Sequence, residues 1–244
     1  MYVMTQFRRR ATVRSEHSLA RCESGLAMIE FAFSLPILLV LFMSGLESAN
    51  YAMAHLRVSN IAVMAADGAA RVRDSIDEAD VVELLNGAKA TGDGIGFAQN
   101  ARIILYSIEP SADGTRQWVR WQRCVGALRV DPSYGRPLTA SGAAISNGTE
   151  IYADNRTSTS SNPSSPDRST ATAVGPTGNQ IAASPGTAVM LVEVVYDYQP
   201  IIPASPLAGR QIRYQSGFNV RQRVDQTLRN IGRITPRSCD TYQA

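Results

Sequence analysis

Hydrophobic and polar positions divide the chain into three regimes. From Leu26 to Leu46 it reads LAMIEFAFSLPILLVLFMSGL, interrupted by one charge, Glu30, and two serines. A helix of this length rises about 31 Å, the thickness of a bilayer's hydrocarbon core. A helix in a soluble core keeps one polar face, and Phe31 to Phe42 has almost none, so residues 26–46 are expected to span a membrane. Beyond them, Glu47 to Arg73 lacks proline, is alanine-rich between Ala62 and Ala70, and repeats apolar residues at Tyr51 or Met53, Leu56, Val63 and Met64. This spacing extends the helix outside the membrane, over residues 47–74, to about 45 residues and ~65 Å in all. His55 lies on this stretch without a visible partner and reads as a surface or packing residue.

The third regime, residues 75–244, opens with a second helix. Ser75-x-x-Glu78 has the spacing of a capping box, which predicts a helix over Ile76 to Ala90 with acids in its first turns and Lys89 near its end. Capping and solvation account for the carboxylates Asp74, Asp77, Glu78, Asp80 and Glu83 without a metal or a glycosidase pair. Gly92-Asp93-Gly94-Ile95-Gly96 ends the helix as a turn, with no strand before it to make it a phosphate-binding loop. Strand patterns follow at Ala101 to Glu109, Gln117 to Val130, Gly186 to Tyr198 and Gln211 to Val224, the last alternating polar and apolar as an edge strand does. A long helix followed by four antiparallel strands predicts an α+β head. Thr139 to Ser184 is dominated by Ser, Thr, Gly, Pro and Asn and is expected to be a long exposed, flexible loop. Its sequons Asn147-Gly-Thr149 and Asn155-Arg-Thr157 are short enough to arise by chance.

Charge changes the picture at one place. The chain has 24 basic and 21 acidic residues, a net of +3. Residues 1–25 hold five arginines (Arg8, Arg9, Arg10, Arg14, Arg21) against Glu16 and Glu23, so the rest of the chain balances to zero. The basic excess ahead of an apolar run is a topology signal, not a nucleic-acid surface. By the positive-inside rule the N-terminus lies in the cytoplasm and the head beyond the inner membrane. Three familiar targeting signals do not fit. Ten mostly polar residues, Ser15 to Ser24, separate Arg8, Arg9, Arg10 and Arg14 from the apolar run, which a secretory or twin-arginine signal does not tolerate, and Leu19-Ala20-Arg21-Cys22 precedes the hydrophobic region where a lipoprotein box follows it.

The pattern Gly25-x4-Glu30-Phe31-x4-Pro36, followed by leucines, resembles the processing site of prepilins. The four apolar residues before the glutamate resemble the tight-adherence (Tad, or Flp) branch of type IV pili, and the long C-terminal region resembles the TadE-like pseudopilins of that branch. The looser runs Val194-x-Tyr196-x-Tyr198-x-Pro200 and Trp121-Gln122-Arg123-Cys124 are similar to TadE-like periplasmic regions. The resemblance implies a pilin-like fold, a long N-terminal helix packed on a small antiparallel sheet. It also implies cleavage by a prepilin peptidase after Gly25, leaving Leu26 as the first residue, with Glu30 and Phe31 as recognition residues. Glu30 would then dock against the freed amine of a neighbouring subunit. Partners are thus other pilins or pseudopilins and the assembly platform, and the functional context is pilus biogenesis, adhesion or secretion. Elementary physics agrees about Glu30, since a lone carboxylate in an apolar helix costs a few kcal/mol and calls for a partner or a function. Pro36 removes one helical hydrogen bond and is expected to kink or loosen the segment.

Cys22 falls in the leader, which leaves Cys124 and Cys239 on the oxidising side of the membrane, where a disulfide between them is expected. An enzyme is disfavoured: after residue 50 the only histidine is His55, and neither a nucleophile elbow nor a paired-carboxylate signature is present. No cofactor or metal is implied. The competing reading is an uncleaved, membrane-anchored periplasmic binding or interaction protein, which leaves the Gly25 to Phe31 pattern as coincidence.

Overall fold

The computed structural model describes residues 23–110, 114, 116–134, 169–170, 173–203 and 205–243. Cys22 with most of the leader, and both sequons in the middle of the Ser/Thr/Pro-rich segment, lie outside the described residues. The described chain forms two units, one ending at Leu46 and one starting at Glu47.

In the first unit a helix, α1 (Glu23–Arg71), begins and runs through Pro36 without ending. Its apolar side chains face outward all round, from Leu35 at 38% exposed to Met28 at 76%. The two serines of the run satisfy their hydroxyls on the helix itself: Ser34 donates to the carbonyl of Phe31 (3.1 Å) and Ser44 to that of Val40 (2.7 Å). That is how a polar side chain is made tolerable where no water is available.

The second unit is the α+β head. The remainder of α1 leads into β1 (Ile76–Asp77), α2 (Glu78–Thr91), a 3-10 turn at Asp93–Ile95 and the short α3 (Phe97–Asn100). Then come β2 (Ala101–Pro110), β3 (Gln117–Val125), β4 (Ser169–Thr170), β5 (Val189–Asp197), β6 (Gln211–Asn219) and β7 (Leu228–Arg229). Five strands form an antiparallel sheet ordered β4-β3-β2-β5-β6, so β6 is the edge its alternation predicts; β1 and β7 make a separate parallel pair. The fifth strand, β4, lies inside the segment read as loop.

Strand alternation sends the two faces of the sheet to different covers. Ile103, Leu105, Val192 and Val194 face α1 and α2, whereas Ile104, Tyr106, Val189 and Leu191 face the opposite side. The helix meets the sheet through Ala54, Val58, Ile61, Ala62, Ala65, Ala66, Ala69 and Ala70, all buried. The larger apolar residues of the predicted stripe, Met53, Leu56, Val63 and Met64, are exposed. Small side chains face the sheet because they let the helix backbone approach it closely.

The opposite face carries a cover that composition concealed. Residues 173–184, expected to be exposed loop, bury Val174 and Ala183 and close on themselves through paired Val174–Ile181 backbone bonds of 2.8 and 2.7 Å. The Gln117 amide clamps the backbone of Ala183 from both sides. Beside them the C-terminal tail runs along β3: Cys124 donates its N–H to the Arg237 carbonyl and Gly126 to that of Gln243, each at 2.9 Å. A disulfide joins Cys124 to Cys239, with Cα atoms 4.7 Å apart. Arg102, fully buried, donates to the carbonyls of Cys239 (2.6 Å) and Thr241 (3.2 Å) and lies 4.1 Å from the Tyr242 ring centre. Gly126, at φ +112°, is required here, since a Cβ would come within 2.2 Å of the Ala101 carbonyl oxygen.

The second helix starts two residues later than its sequence suggests. Asp77, not Ser75, caps α2, accepting from the Ala79 N–H (3.0 Å), while Asp80 accepts from the Asp77 N–H (2.9 Å). Glu78 is thereby released from capping and turns into the protein.

Candidate functional site

The motif residues Gly25, Leu26, Glu30 and Phe31 fall in the first turns of α1, all exposed. Leu26 and Glu30 are four residues apart and share one helical face, with Phe31 beside them. Gly25 has no atom within 4 Å of where a Cβ would stand. Among the described residues the Glu30 carboxylate makes no hydrogen bond or ion pair. The four therefore lie close together on an open helix surface, where none of the described residues partners Glu30.

A second carboxylate, Glu47, has the opposite surroundings. It follows directly on the apolar run and is 4% exposed. Tyr198 donates its hydroxyl to Oε1 (2.9 Å), and the backbone N–H groups of Ile201 and Ile202 both donate to Oε2 at 3.1 Å. Burial pushes this carboxyl up, but the hydrogen bonds from Tyr198, Ile202 and Ile201 outweigh it and hold it below the ordinary carboxylate value. The same contact, with burial as the larger cause, raises the Tyr198 phenol to about 12. Asn50 donates to the Tyr198 oxygen (2.7 Å). Edge-to-face rings then run from Tyr198 through Tyr51 and His55 to Tyr214, with His55 Nδ1 3.2 Å from the Tyr214 hydroxyl. This ladder fastens the start of the head's helix to β5, β6 and the loop between them. Sequence reasoning missed it because the partners of Glu47 and His55 lie some 150 residues away.

Two further buried carboxylates hold the head together. Glu78 accepts from Arg123 Nε at 2.9 and 3.0 Å, and Arg123 Nη2 closes the fork on the same carboxylate. Glu193, at the centre of the sheet, accepts from Tyr106, from Ser133 and from Arg213 Nη1 at 2.6 Å. Next to the disulfide a cleft of about 580 Å³ is lined by Val82, Val125, Ile234, Pro236 and Thr241. Its one charged lining residue, Arg237, donates to Asn86 (3.2 Å). Among the described residues no group of three or more His, Cys, Asp or Glu is placed to hold a metal. The arrangement fastens a helix to a sheet, and each of its three buried carboxylates is met by hydrogen-bond donors of the head.

An apolar helix with a glycine and a lone glutamate at its start, continuing into a small head, is a specific signature. Residues 25–67 match the family model described as TadE-like protein. Over this segment the chain is similar to TadE-like proteins. TadE-like proteins are components of Tad pilus systems and not an enzyme family. The TadE-like segment opens at Gly25, contains both Glu30 and Glu47, and ends before the strands of the head begin. No curated protein and no solved structure matches the chain. The apolar helix within the TadE-like segment suits membrane anchoring.

Proposed function

We propose that this protein is a minor pilin-like assembly subunit of a Tad-type pilus. In this reading a prepilin peptidase removes the basic leader after Gly25, residues 26–46 cross the inner membrane with the N-terminus cytoplasmic, and the head folds in the periplasm. Glu30, without a partner among the described residues, pairs with the freed amine at Leu26 of a neighbouring subunit. An ion pair in a low-dielectric bundle tolerates little displacement, so it sets the height at which a subunit docks. Phe31 serves recognition by the peptidase. The observation that carries the proposal is the start of the TadE-like match at Gly25, the residue at which the leader would be cut. The exposed apolar helix and the oxidised cysteine pair in the head support the topology.

The test is the mature N-terminus, read by intact mass and N-terminal sequencing of protein from native membranes. Wild type should begin at Leu26. Gly25→Ala, and wild type from cells lacking the prepilin peptidase, should both keep residues 1–25. Retention of the leader in all three overturns processing and leaves an uncleaved, membrane-anchored interaction protein.

A further inference from the structure

The loop that Glu47 holds, between β5 and β6, has an unusual composition. From Tyr198 to Gly209 the sequence is YQPIIPASPLAG, twelve residues without a charged side chain, bounded by Asp197 and Arg210. It is not simply core. Ile201 is 54% exposed and Pro203 and Pro206 are exposed, whereas Ile202 and Leu207 turn partly inward. An exposed isoleucine among prolines in a loop fixed by two backbone hydrogen bonds is a built feature, because the N–H groups of Ile201 and Ile202 are what Glu47 binds. Glu47 is covalently the next residue after Leu46, where the apolar run ends. Chain connectivity alone thus ties this loop to the residue at which α1 leaves the hydrocarbon.

The geometry points to a second membrane contact: the loop around Ile201 rests in the lipid headgroup and upper acyl region of the bilayer that residues 26–46 cross. This rests on the membrane-spanning reading of that run and adds to it a fixed depth for the head. Half-buried Tyr51 beside Glu47 suits an interface, where aromatic rings with one polar tip collect, and exposed Arg210 at the loop's end suits lipid phosphate. Glu47 has its own role in such a site. A carboxylate near an interface with anionic lipid is repelled unless it is enclosed, and here Tyr198, Ile201 and Ile202 enclose it, with Asn50 bracing Tyr198. The apolar edge of the loop faces outward while the charge that holds it stays inside.

The full chain, with Cys22 replaced by serine and Cys124–Cys239 oxidised, is reconstituted in phosphatidylglycerol/phosphatidylethanolamine vesicles. A polarity-sensitive fluorophore is placed singly by Ile201→Cys, Leu39→Cys or Val224→Cys. The Leu39 label should be quenched by lipids brominated deep in the acyl chain. The Ile201 label should emit to the blue and be quenched several-fold more by headgroup-proximal quencher lipids than by a soluble quencher. Val224, an exposed apolar residue elsewhere on the head, should behave as an aqueous site. A Leu39 label deep in the bilayer with an Ile201 label matching Val224 overturns the loop contact and leaves the anchor standing. An aqueous Leu39 label overturns both. A Pro203→Cys label, which leaves Ile201 in place, should repeat the Ile201 result; an aqueous reading there counts against the contact.

Discussion

Removing the carboxylate of Glu78 should unfold the head far more readily than removing any surface acid. Glu78 and Arg123 have side chains only 0% and 3% exposed, and three guanidinium–carboxylate contacts join them across the space between α2 and β3. Arg123 also donates to the carbonyl of Gln122 (2.8 Å), so it cannot swing to water without giving up that bond. Glu78→Gln keeps the shape but leaves a buried guanidinium without its counter-charge, a change that costs about 3–5 kcal/mol. Against a typical total of about 5–15 kcal/mol this is a large share. With a urea m-value of about 2–3 kcal/mol/M, the midpoint should fall by roughly 1–2 M. Urea unfolding of the full chain in detergent, oxidised throughout, can be followed by the fluorescence of Trp118 and Trp121, which sit on the same strand as Arg123. The double variant Glu78→Leu with Arg123→Met should recover most of the loss, because two matched apolar groups leave no stranded charge. The exposed pair Arg229–Asp225 is the control, and Asp225→Asn should lower stability by no more than about 0.5 kcal/mol. A Glu78→Gln loss as small as that of the control would refute the argument that the pair is desolvated.

Breaking the disulfide by Cys239→Ser should lower stability by at most about 4–5 kcal/mol, the chain-entropy value for a closed loop of this separation, and should make the tail from Arg237 onward a protease site in limited digestion. Glu47 should give the stability curve an acid limb: its folded pKa is depressed, so its contribution is complete above the unfolded value near 4.5 and is lost as pH falls through the lower folded value. Glu47→Gln should flatten that limb in unfolding midpoints measured from neutral to acid pH.

The sequence exposed what is periodic or local and hid what is distant. The apolar run needs no partner to declare itself, and Gly186 to Tyr198, rich in valine and tyrosine, reads as a strand, which the structure buries on both faces. The Gln211 to Val224 alternation marked an edge, which the structure confines to Gln211–Asn219, because one face of it stays near solvent. The helix cap was ambiguous from the start: Ser75-x-x-Glu78 and Asp77-x-x-Asp80 share one spacing, and the choice was made by Arg123, whose demand for a counter-charge lies 45 residues away. The large apolar residues of α1 misled for a related reason. Hydrophobicity singles out Met53, Leu56, Val63 and Met64, but the sheet selects for thinness, and alanine answers that better. At the candidate site, Gly25 and Glu30 were legible as a motif, whereas nothing in the sequence marked Glu47. Only the fold supplies its tyrosine and its two amides.

The alanine seam also has a mechanical meaning. Helices grip their neighbours by ridges of side chains set into grooves, and alanine makes those ridges shallow. A pull along the axis of α1 meets few protrusions on this face beyond Val58 and Ile61, so the load falls on the hydrogen bonds of Glu47 and the ring ladder of Tyr51 and His55. These stand where the head's part of α1 begins and would be loaded in shear and together. A head dragged by its own helix is therefore braced at the point where the force enters, and the smooth seam behind it bears little until that brace gives way.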